Sequence, residues 1–253
     1  MVKFRIIPSI LTDGHRVLKG KNFESTRPVG VLEPLINIYE SRDIDELMIL
    51  DTKATQESRN FNYELLKSAC STLSVPLAIG GGFNNVKQIE TALKLGADKI
   101  VIGNACFRNE SLIGSASSYF GSQCLVGSLD FRISDENKIY LKSGLEVLHL
   151  NPIDAALKLE SLGIGELLIQ IIDKEGTLSG ANINIASQIV KKVNIPVVYS
   201  GGISSSQDFL SIARNGFAGA SAGALFQFTE HTPKIIREYL HVNGIPVRKT
   251  VTN

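Results

Sequence analysis

Short apolar runs alternate with longer amphipathic stretches along the whole chain. The runs are short enough and apolar enough to predict buried strands, and they cover residues 4–11, 46–51, 76–80, 98–102, 123–130, 165–171, 195–199 and 218–222. Stretches of helical period follow most of them, for example 86–96 and 206–216. Eight strand–helix units predict an α/β fold that closes as a parallel (β/α)8 TIM barrel, with a doubly wound open sheet as the alternative.

An internal repeat favours the barrel over the open sheet. Residues 75–107 match residues 195–226, with aligned glycines 120 positions apart, and residues 44–50 match residues 164–170 at the same distance. An open sheet gives no reason for such a repeat. The chain is therefore predicted to be a single barrel domain, residues 1–253, built from two fused (βα)4 half-barrels at about 1–122 and 123–253.

Length, charge and cysteine usage narrow the classes of function. The 253 residues are 43% hydrophobic and 20% charged, which is ample material for a sizeable core. A net charge of +1 without a basic run argues against nucleic acid as the main partner. We see neither a signal peptide nor an apolar run near the ~18 residues that cross a bilayer, so a cytoplasmic protein without a membrane partner is expected. The three cysteines and four histidines are scattered, so no disulfide framework, metal site or cofactor is predicted.

Glycines mark the ends of the third and fourth strands of each half. Glycine lets backbone N–H groups approach an anion closely, the next helix adds a favourable dipole, and barrels often bind phosphate at such loops. Two such sites at one mouth predict a ligand with a phosphate at each end; the alternative is that the glycines only make tight turns. The candidate phosphate-binding residues are Gly81, Gly82, Gly103, Asn104, Gly201, Gly202, Gly223 and Ala224.

Four acidic residues stand at the carboxyl ends of strands, where the chemistry of barrels is located: Asp51, Asp130, Asp173 and Glu175. Asp130 ends the strand that opens the second half. A carboxylate there predicts a general acid or base, and a loop-organising hydrogen bond is the alternative. Residues 172–180 are polar and predict a flexible loop over the mouth, from which Glu175 reaches inward.

The amino ends of the strands also carry charge. Side chains at these positions could converge on the barrel floor as an alternating ring of ion pairs; they are Arg5, Glu46, Lys99 and Glu166. From the residues alone, a structural role in closing the bottom of the barrel is favoured, because that face usually serves stability.

Seven strings carry a resemblance to a known family, namely RIIPSIL…VLKG, DELMILD, IGGG, GADKIVI, FGSQCLVGSLD, IDKEGTLSG and SGGISS. In this order, with little change of spacing from about residue 3 to residue 247, they resemble the cyclase subunit of imidazole glycerol phosphate synthase. The isomerase of the same pathway shares the half-barrel repeat but not these strings. The resemblance covers nearly the whole chain.

The resemblance implies a lyase-type cyclase within a glutamine amidotransferase complex. In that family a separate glutaminase hydrolyses glutamine beneath the barrel, and ammonia travels through the barrel to the upper mouth. There it reacts with a substrate that carries a phosphate at each end, giving imidazole glycerol phosphate and an aminoimidazole carboxamide ribotide. A glutaminase subunit in a heterodimer and a phosphorylated small molecule are therefore the expected partners.

The resemblance also assigns roles to particular residues. The family's charged ammonia gate matches Arg5, Glu46, Lys99 and Glu166, and a glutaminase-interface position matches Asp98. Lys19, in a long mobile loop after the first strand, matches a position involved in substrate handling and signalling to the glutaminase. Asp130 matches one of two catalytic aspartates, and Glu175 matches a further aspartate in the loop after the sixth strand.

Several departures from the family pattern bear on activity. Leu11 stands where the other catalytic aspartate belongs, and leucine cannot transfer a proton. Asp13 follows two residues later and would have to turn in from a loop. Glu175 is one methylene longer than the aspartate it replaces, Gln170 replaces a threonine, and Ala224 replaces a phosphate-site serine whose hydroxyl is lost.

A strand end of this type resembles a divergent branch encoded with bacterial surface-polysaccharide genes. There a glutaminase and an N-acetyl sugar amidotransferase make an acetamidino sugar, and the barrel is thought to pass ammonia onward.

Three functions of this chain are therefore considered: a divergent subunit that supports sugar amidation, a histidine-biosynthesis cyclase that tolerates Leu11, and a non-catalytic conduit or scaffold. The missing carboxylate weighs against the second, whereas Asp130, Lys19 and the paired glycines weigh against the third. The first is therefore favoured.

Overall fold

The computed structural model describes residues 3–249. Its strands and helices are, in chain order, β1 (Arg5–Thr12), β2 (Arg16–Lys21), β3 (Ser25–Val31), α1 (Leu32–Ser41), β4 (Leu47–Asp51), α2 (Tyr63–Thr72), β5 (Leu77–Gly80), α3 (Val86–Lys94), β6 (Lys99–Ile102), α4 (Asn104–Arg108), α5 (Glu110–Phe120), β7 (Leu125–Arg132), β8 (Lys138–Leu141), β9 (Glu146–Leu148), α6 (Pro152–Leu162), β10 (Glu166–Ile171), α7 (Asn184–Val190), β11 (Val197–Ser200), α8 (Ser206–Arg214), β12 (Gly219–Ala222), α9 (Ala224–Phe228) and α10 (Pro233–Val242).

Eight parallel strands form a closed barrel in the order β1, β4, β5, β6, β7, β10, β11 and β12. The circle closes where β12 pairs with β1, which places Gly219 opposite Arg5. Each of these strands overlaps one of the eight apolar runs read from the sequence. The predicted TIM barrel is therefore confirmed, and the open sheet is not formed.

The barrel strands are apolar on both faces because each face packs against a different part of the core. The side chains inside the barrel form one cluster, made of Ile7, Met48, Ala78, Val101, Val126, Leu168 and Val198. Alternate residues such as Ile49, Ile79 and Ile169 point outward and pack in the larger cluster beneath the helices. Burial of both faces explains why the strands appear as nearly continuous apolar runs.

Helices α3 and α8 begin in the same way, 120 positions apart. Asn85 accepts a hydrogen bond from the Gln88 backbone N–H while the Gln88 side chain accepts from the Asn85 N–H, and Ser205 and Asp208 form the same reciprocal pair. Such a capping box satisfies N–H groups that have no acceptor within the helix. Both boxes lie directly after strand ends, so they fix the loops that contain the glycine pairs.

Two hairpins interrupt the strand–helix alternation, and the sequence predicted neither. The stretch after β1 was expected to be a mobile loop, but β2 and β3 pair antiparallel, and β2 also pairs with the end of β1 through Leu11 and Leu18. Strands β8 and β9 extend β7 in a similar way. Buried Val17 and Leu18 explain the first hairpin, since they anchor it to the core. Within residues 3–249, no helix combines the length and apolar character needed to cross a membrane.

Candidate active site at the barrel mouth

Beneath the hairpins, the carboxyl ends of the strands open into two adjoining cavities. One, the Asp130 cavity, is lined by Gly81, Gly103, Asn104, Ser128 and Asp130 among others. The other, the Lys19 cavity, is lined by Lys19, Gly201, Gly202, Gly223, Ala224 and Phe228 among others. The two cavities share Leu11, Gly20, Leu50, Gln170 and Glu175. The predicted catalytic and phosphate-binding residues therefore meet at one mouth, with Gly82 in a recess beside the Asp130 cavity.

Asp130 is held at the carboxyl end of β7 by two neutral hydrogen-bond donors. Its Oδ1 accepts from Ser128 Oγ at 2.6 Å and from Gln170 Nε2 at 3.2 Å. Strand register explains the second contact, because Gln170 on β10 is paired directly with Asp130. Burial raises the pKa of Asp130 to about 6, and the two hydrogen bonds, which favour the ionised form, offset only part of this effect. A carboxyl group with this pKa is suited to exchange protons near neutral pH.

Glu175 reaches into the mouth from the loop after β10, as the polar stretch 172–180 predicted. The Asn22 N–H, at the tip of the β2–β3 hairpin, donates to the Glu175 backbone carbonyl at 3.0 Å. The Oε2 atom of Glu175 is buried and has no hydrogen-bond partner. Burial raises the pKa of Glu175, and the Phe23 N–H and the charge of Lys19 counter this only in part. The side chain thus contributes a second desolvated carboxyl group.

Lys19 lies on β2 and faces the second cavity. Its Nζ lies 4.5 Å from the centroid of the Phe228 ring, in a cation–π contact with the residue that ends α9. The β2–β3 hairpin that carries Lys19 also lies against the end of β7, where Glu24 pairs with Arg132 at 3.3 Å. Lys19 therefore stands at the edge of the mouth, on an element that partly roofs it.

Leu11 occupies the end of β1 and lines both cavities, so this strand end presents an apolar side chain to the mouth. Asp13 does not compensate. Its carboxylate pairs with Arg16 at 2.6 Å and accepts the Arg16 and His15 N–H groups. Although desolvation opposes the shift, these hydrogen bonds lower the pKa of Asp13 to about 2. Asp13 is thus a loop-organising residue.

Asp51 and Asp173, the other two strand-end acids, are held by partners outside the cavities. Asp51 is buried and pairs with Arg59, whose Nη1 lies 2.6 Å from Oδ2 and whose Nη2 also donates to the Asp13 carbonyl. Asp173 accepts from the Ser134 N–H and hydroxyl at 2.9 and 3.0 Å. Both carboxylates organise loops. No sequence pattern indicates the Arg59 contact, because Arg59 lies eight positions after Asp51 in an irregular loop.

The two glycine pairs adopt nearly identical backbone conformations. Gly81 and Gly201 have φ of +117° and +112°, and Gly82 and Gly202 have φ of +78° and +81°. A Cβ at Gly81 would collide with the Asp51 carbonyl oxygen, and one at Gly202 with the Gly180 carbonyl oxygen. Tight turns alone therefore require these four glycines. Phosphate binding remains a prediction, to which the cavities beside the turns add room.

The barrel floor contains the alternating ring that the sequence suggested. Arg5 contacts Glu46 at 2.6 Å and Glu166 at 2.7 Å, and Lys99 contacts the same two carboxylates at 2.9 and 3.2 Å. The exposed Asp98 precedes Lys99 on this face, and its carboxylate accepts the Leu77 N–H at 2.8 Å. Four charges thus close the bottom of the barrel directly beneath its apolar interior.

Among residues 3–249, no three His, Cys, Asp or Glu side chains are placed to hold a metal ion together. The mouth contains two desolvated carboxyl groups and a lysine at its rim, which are suited to acid–base chemistry. Glycine-rich turns lie on two of its sides. A (β/α)8 barrel with such a mouth is organised as an enzyme that acts on a small molecule.

Comparisons with known proteins agree with this class. A profile of the family described as "Histidine biosynthesis protein" matches residues 5–232. Imidazole glycerol phosphate synthase subunit HisF of Clostridium botulinum (strain Okra / Type B1) is 34% identical over 252 residues, covering 98% of this chain and 100% of the relative. The HisF subunits of Lactococcus lactis subsp. lactis (strain IL1403) and Dictyoglomus turgidum (strain DSM 6724 / Z-1310) are 36% and 34% identical, each with 98% of this chain covered and with 97% and 99% of the relatives.

The matches span the barrel from floor to mouth. The chain belongs to the histidine biosynthesis protein family and, within it, to the cyclase subunits of imidazole glycerol phosphate synthase.

Proposed function

We propose that this chain acts as the cyclase subunit of an imidazole glycerol phosphate synthase. In this proposal the mouth combines ammonia with a bisphosphorylated ribonucleotide intermediate and releases imidazole glycerol phosphate and an aminoimidazole carboxamide ribotide. The observation that carries it is Asp130, whose desolvated carboxyl group, held by Ser128 and Gln170, faces the mouth with a pKa of about 6. The family membership, with relatives named as HisF subunits, supports the same function.

The phosphates of the substrate are assigned to the two glycine-rich sides of the mouth. Gly81, Gly82, Gly103 and Asn104 would hold one phosphate, and Gly201, Gly202, Gly223 and Ala224 the other. One feature beyond the turns supports the first side: Asn104 Oδ1 is buried without a hydrogen-bond partner, and an exchange of its amide oxygen and nitrogen would place a hydrogen-bond donor at that point. Lys19, from the rim, would supply a cation to the second side.

Ammonia is proposed to enter through the floor from a glutaminase partner. The ring of Arg5, Glu46, Lys99 and Glu166 would act as the gate, and Asp98 would lie in the subunit interface. The apolar interior of the barrel supports this route, since uncharged ammonia passes an apolar passage more readily than ammonium does. Histidine biosynthesis in the cytoplasm is the corresponding cellular role.

Leu11 favours a second candidate function. Since this strand end brings no titratable group to the mouth, the barrel could instead deliver ammonia for amidation in surface-sugar biosynthesis, with an N-acetyl sugar amidotransferase as the acceptor enzyme. A non-catalytic conduit is the limiting form of this candidate. The family comparisons support the cyclase more strongly than either.

Turnover of the bisphosphorylated intermediate by the purified protein in ammonium salts tests the proposal. Formation of both products at a rate above that of an Asp130→Asn variant supports the cyclase. Absence of product, together with neighbouring genes for sugar-nucleotide enzymes, would favour the second candidate.

The ammonia gate is tested separately, in the presence of the glutaminase. Glu46→Ala and Lys99→Ala are expected to lower glutamine-dependent turnover more than ammonia-dependent turnover, because only the first needs passage through the floor. Equal losses in the two assays would show that the ring only supports the fold.

A further inference from the structure

Three carboxylates line the two mouth cavities, and they differ in what surrounds them: Asp51, Asp130 and Glu175. Asp51 is neutralised by Arg59 at 2.6 Å. Asp130 is hydrogen-bonded through Oδ1 to the neutral groups of Ser128 and Gln170. Glu175 Oε2 is buried and accepts no hydrogen bond. An unpartnered buried oxygen of this kind calls for an explanation, and a reacting ligand is one.

Glu175 also has a distinctive position. It lines both the Asp130 cavity and the Lys19 cavity, as do Leu11 and Gln170, whereas Asp130 lines only the first. A ligand with a phosphate on each side would therefore pass Glu175 at its middle. The middle of such a ligand is where bonds are made and broken, since the phosphates are not changed by the reaction.

We propose that Glu175 is the second acid–base residue of the mouth, working with Asp130 in place of a carboxylate at the end of β1. The inference rests on the proposed function and deepens it. In the step where ammonia displaces the leaving nitrogen from carbon, the ammonia nitrogen loses a proton to the Asp130 carboxylate as the new C–N bond forms. The C–N bond to the leaving nitrogen breaks, and that nitrogen takes the proton of the Glu175 carboxyl group. The ring closes when the same ammonia nitrogen condenses with a carbonyl carbon of the substrate and releases water. Exchange with solvent then returns Asp130 to the ionised form and Glu175 to the protonated form.

The space around Gly20 explains how Glu175 reaches this place. A Cβ at Gly20 would lie 2.9 Å from Glu175 Oε2, 3.0 Å from Oε1 and 3.1 Å from Leu11 Cδ1. The carboxyl group and the leucine methyl thus flank the same point of the mouth. It follows that a carboxylate introduced at position 11 would lie close to the present position of the Glu175 carboxyl group.

The main experiment measures ammonia-dependent turnover in four proteins: wild type, Glu175→Gln, Leu11→Asp, and Glu175→Gln combined with Leu11→Asp. Loss of a general acid predicts a fall in kcat of roughly 10²-fold or more for Glu175→Gln, with KM changed by less than about threefold. The combined variant is expected to recover at least about tenfold of that loss, because position 11 supplies the proton donor again. Glu64→Gln, on the exposed face of α2, is the matched control and should behave as wild type.

A second pair of variants tests the same idea without changing any charge. Gly20→Ala places a methyl group within about 3 Å of the Glu175 carboxyl oxygens and should displace them, lowering kcat. Gly30→Ala, on the other strand of the same hairpin, meets no atom within 4 Å and should leave turnover unchanged. Circular dichroism and thermal melting identify any variant that is unfolded. If a variant of one experiment is unfolded, the other experiment decides.

The outcomes separate the inference from the function on which it rests. If the wild type is active and Glu175→Gln is equally active, the inference is wrong and the cyclase assignment stands. If the wild type is inactive and Leu11→Asp is active, Glu175 does not replace a strand-end carboxylate, and the inference is again wrong. If all four proteins bind the bisphosphate but none turns it over, the cyclase function itself is overturned.

Discussion

The floor and the mouth of the barrel both bury charged groups, but they surround them in opposite ways. At the floor, two carboxylates alternate with two cations, and each carboxylate contacts both. At the mouth, Asp130 is hydrogen-bonded to neutral groups and Glu175 Oε2 to none. Paired charges offset part of the desolvation cost at the floor, whereas at the mouth neutral hydrogen bonds and the charge of Lys19 leave both carboxyl groups with raised pKa values.

The contrast shows that burial alone does not mark a reactive carboxylate. Asp51 is as deeply placed as any acid of the mouth, yet Arg59 neutralises it, and it organises a loop. Asp130 has no such neighbour, and its pKa rises to about 6. A carboxylate in a cleft that is desolvated without a compensating cation is therefore the better candidate for catalysis.

The largest effect is expected from removing the proton-exchanging group of the mouth. Asp130→Asn keeps an oxygen for the Ser128 and Gln170 hydrogen bonds but cannot accept a proton. Ammonia-dependent kcat should fall by about 10²- to 10⁴-fold, as expected for the loss of a general base. Steady-state kinetics with the bisphosphorylated intermediate measure this, and Asp154→Asn on the exposed face of α6 is the control. A loss below about threefold would remove Asp130 from the chemistry.

Substitutions at the barrel floor are expected to act mainly on the free energy of unfolding. Lys99→Met leaves Glu46 and Glu166 with one cation between them and should lower the free energy of unfolding by roughly 2–4 kcal/mol. Adding Glu166→Gln restores charge balance and leaves the Arg5–Glu46 pair intact, so the double variant should be the more stable of the two. Urea unfolding measures both. A double variant less stable than Lys99→Met would mean that the ring is not held by charge compensation.

Much of this arrangement could be predicted from the sequence, because it follows from local pattern. Eight apolar runs determined the barrel, and strand ends placed Asp130 and Glu175 at the mouth and Arg5 and Lys99 at the floor. The hairpins were missed, since strands of three to seven residues that pair beyond a barrel end leave little periodicity.

Side-chain partners were the other part that sequence reasoning did not reach. Arg59 neutralises Asp51 from a loop, and Gln170 meets Asp130 through the register of two neighbouring strands. Neither contact has a sequence signature, because each depends on side-chain direction in the folded chain. The difference between a catalytic and a loop-organising carboxylate at the mouth therefore became visible only in three dimensions.

A smaller effect concerns the free energy of unfolding and its dependence on the protonation of Asp130. The pKa of Asp130 rises from 3.8 to about 6 on folding, so the folded state retains its proton at pH values where the unfolded state has lost it. Stability is therefore lost as the pH rises from about 4 to about 6, and the deficit persists above that range. Asp130→Asn avoids the deficit and should be more stable than wild type by about 1–3 kcal/mol at pH 7.5, with no difference near pH 4. Thermal melts across this pH range test it, and a variant less stable than wild type at pH 7.5 would contradict it.

The smallest expected effect is a further rise in the pKa of Asp130, one of the two carboxyl groups of the mouth. Gln170 Nε2 donates to Asp130 Oδ1 at 3.2 Å and thereby favours its ionised form. Gln170→Met has a similar length but no donor, so the pKa of Asp130 should rise further. A neutral hydrogen bond contributes about 0.5–1.5 kcal/mol, which corresponds to roughly 0.4–1 pKa unit.

The pH profile of kcat/KM reports this shift, because activity falls on the acid side as Asp130 becomes protonated. Gln170→Met should move the acid limb to higher pH and leave the alkaline limb in place. Gln188→Met on the exposed face of α7 is the control and should move neither limb. A uniform loss of rate with both limbs unmoved would mean that Gln170 contacts the substrate instead of setting the proton affinity of Asp130.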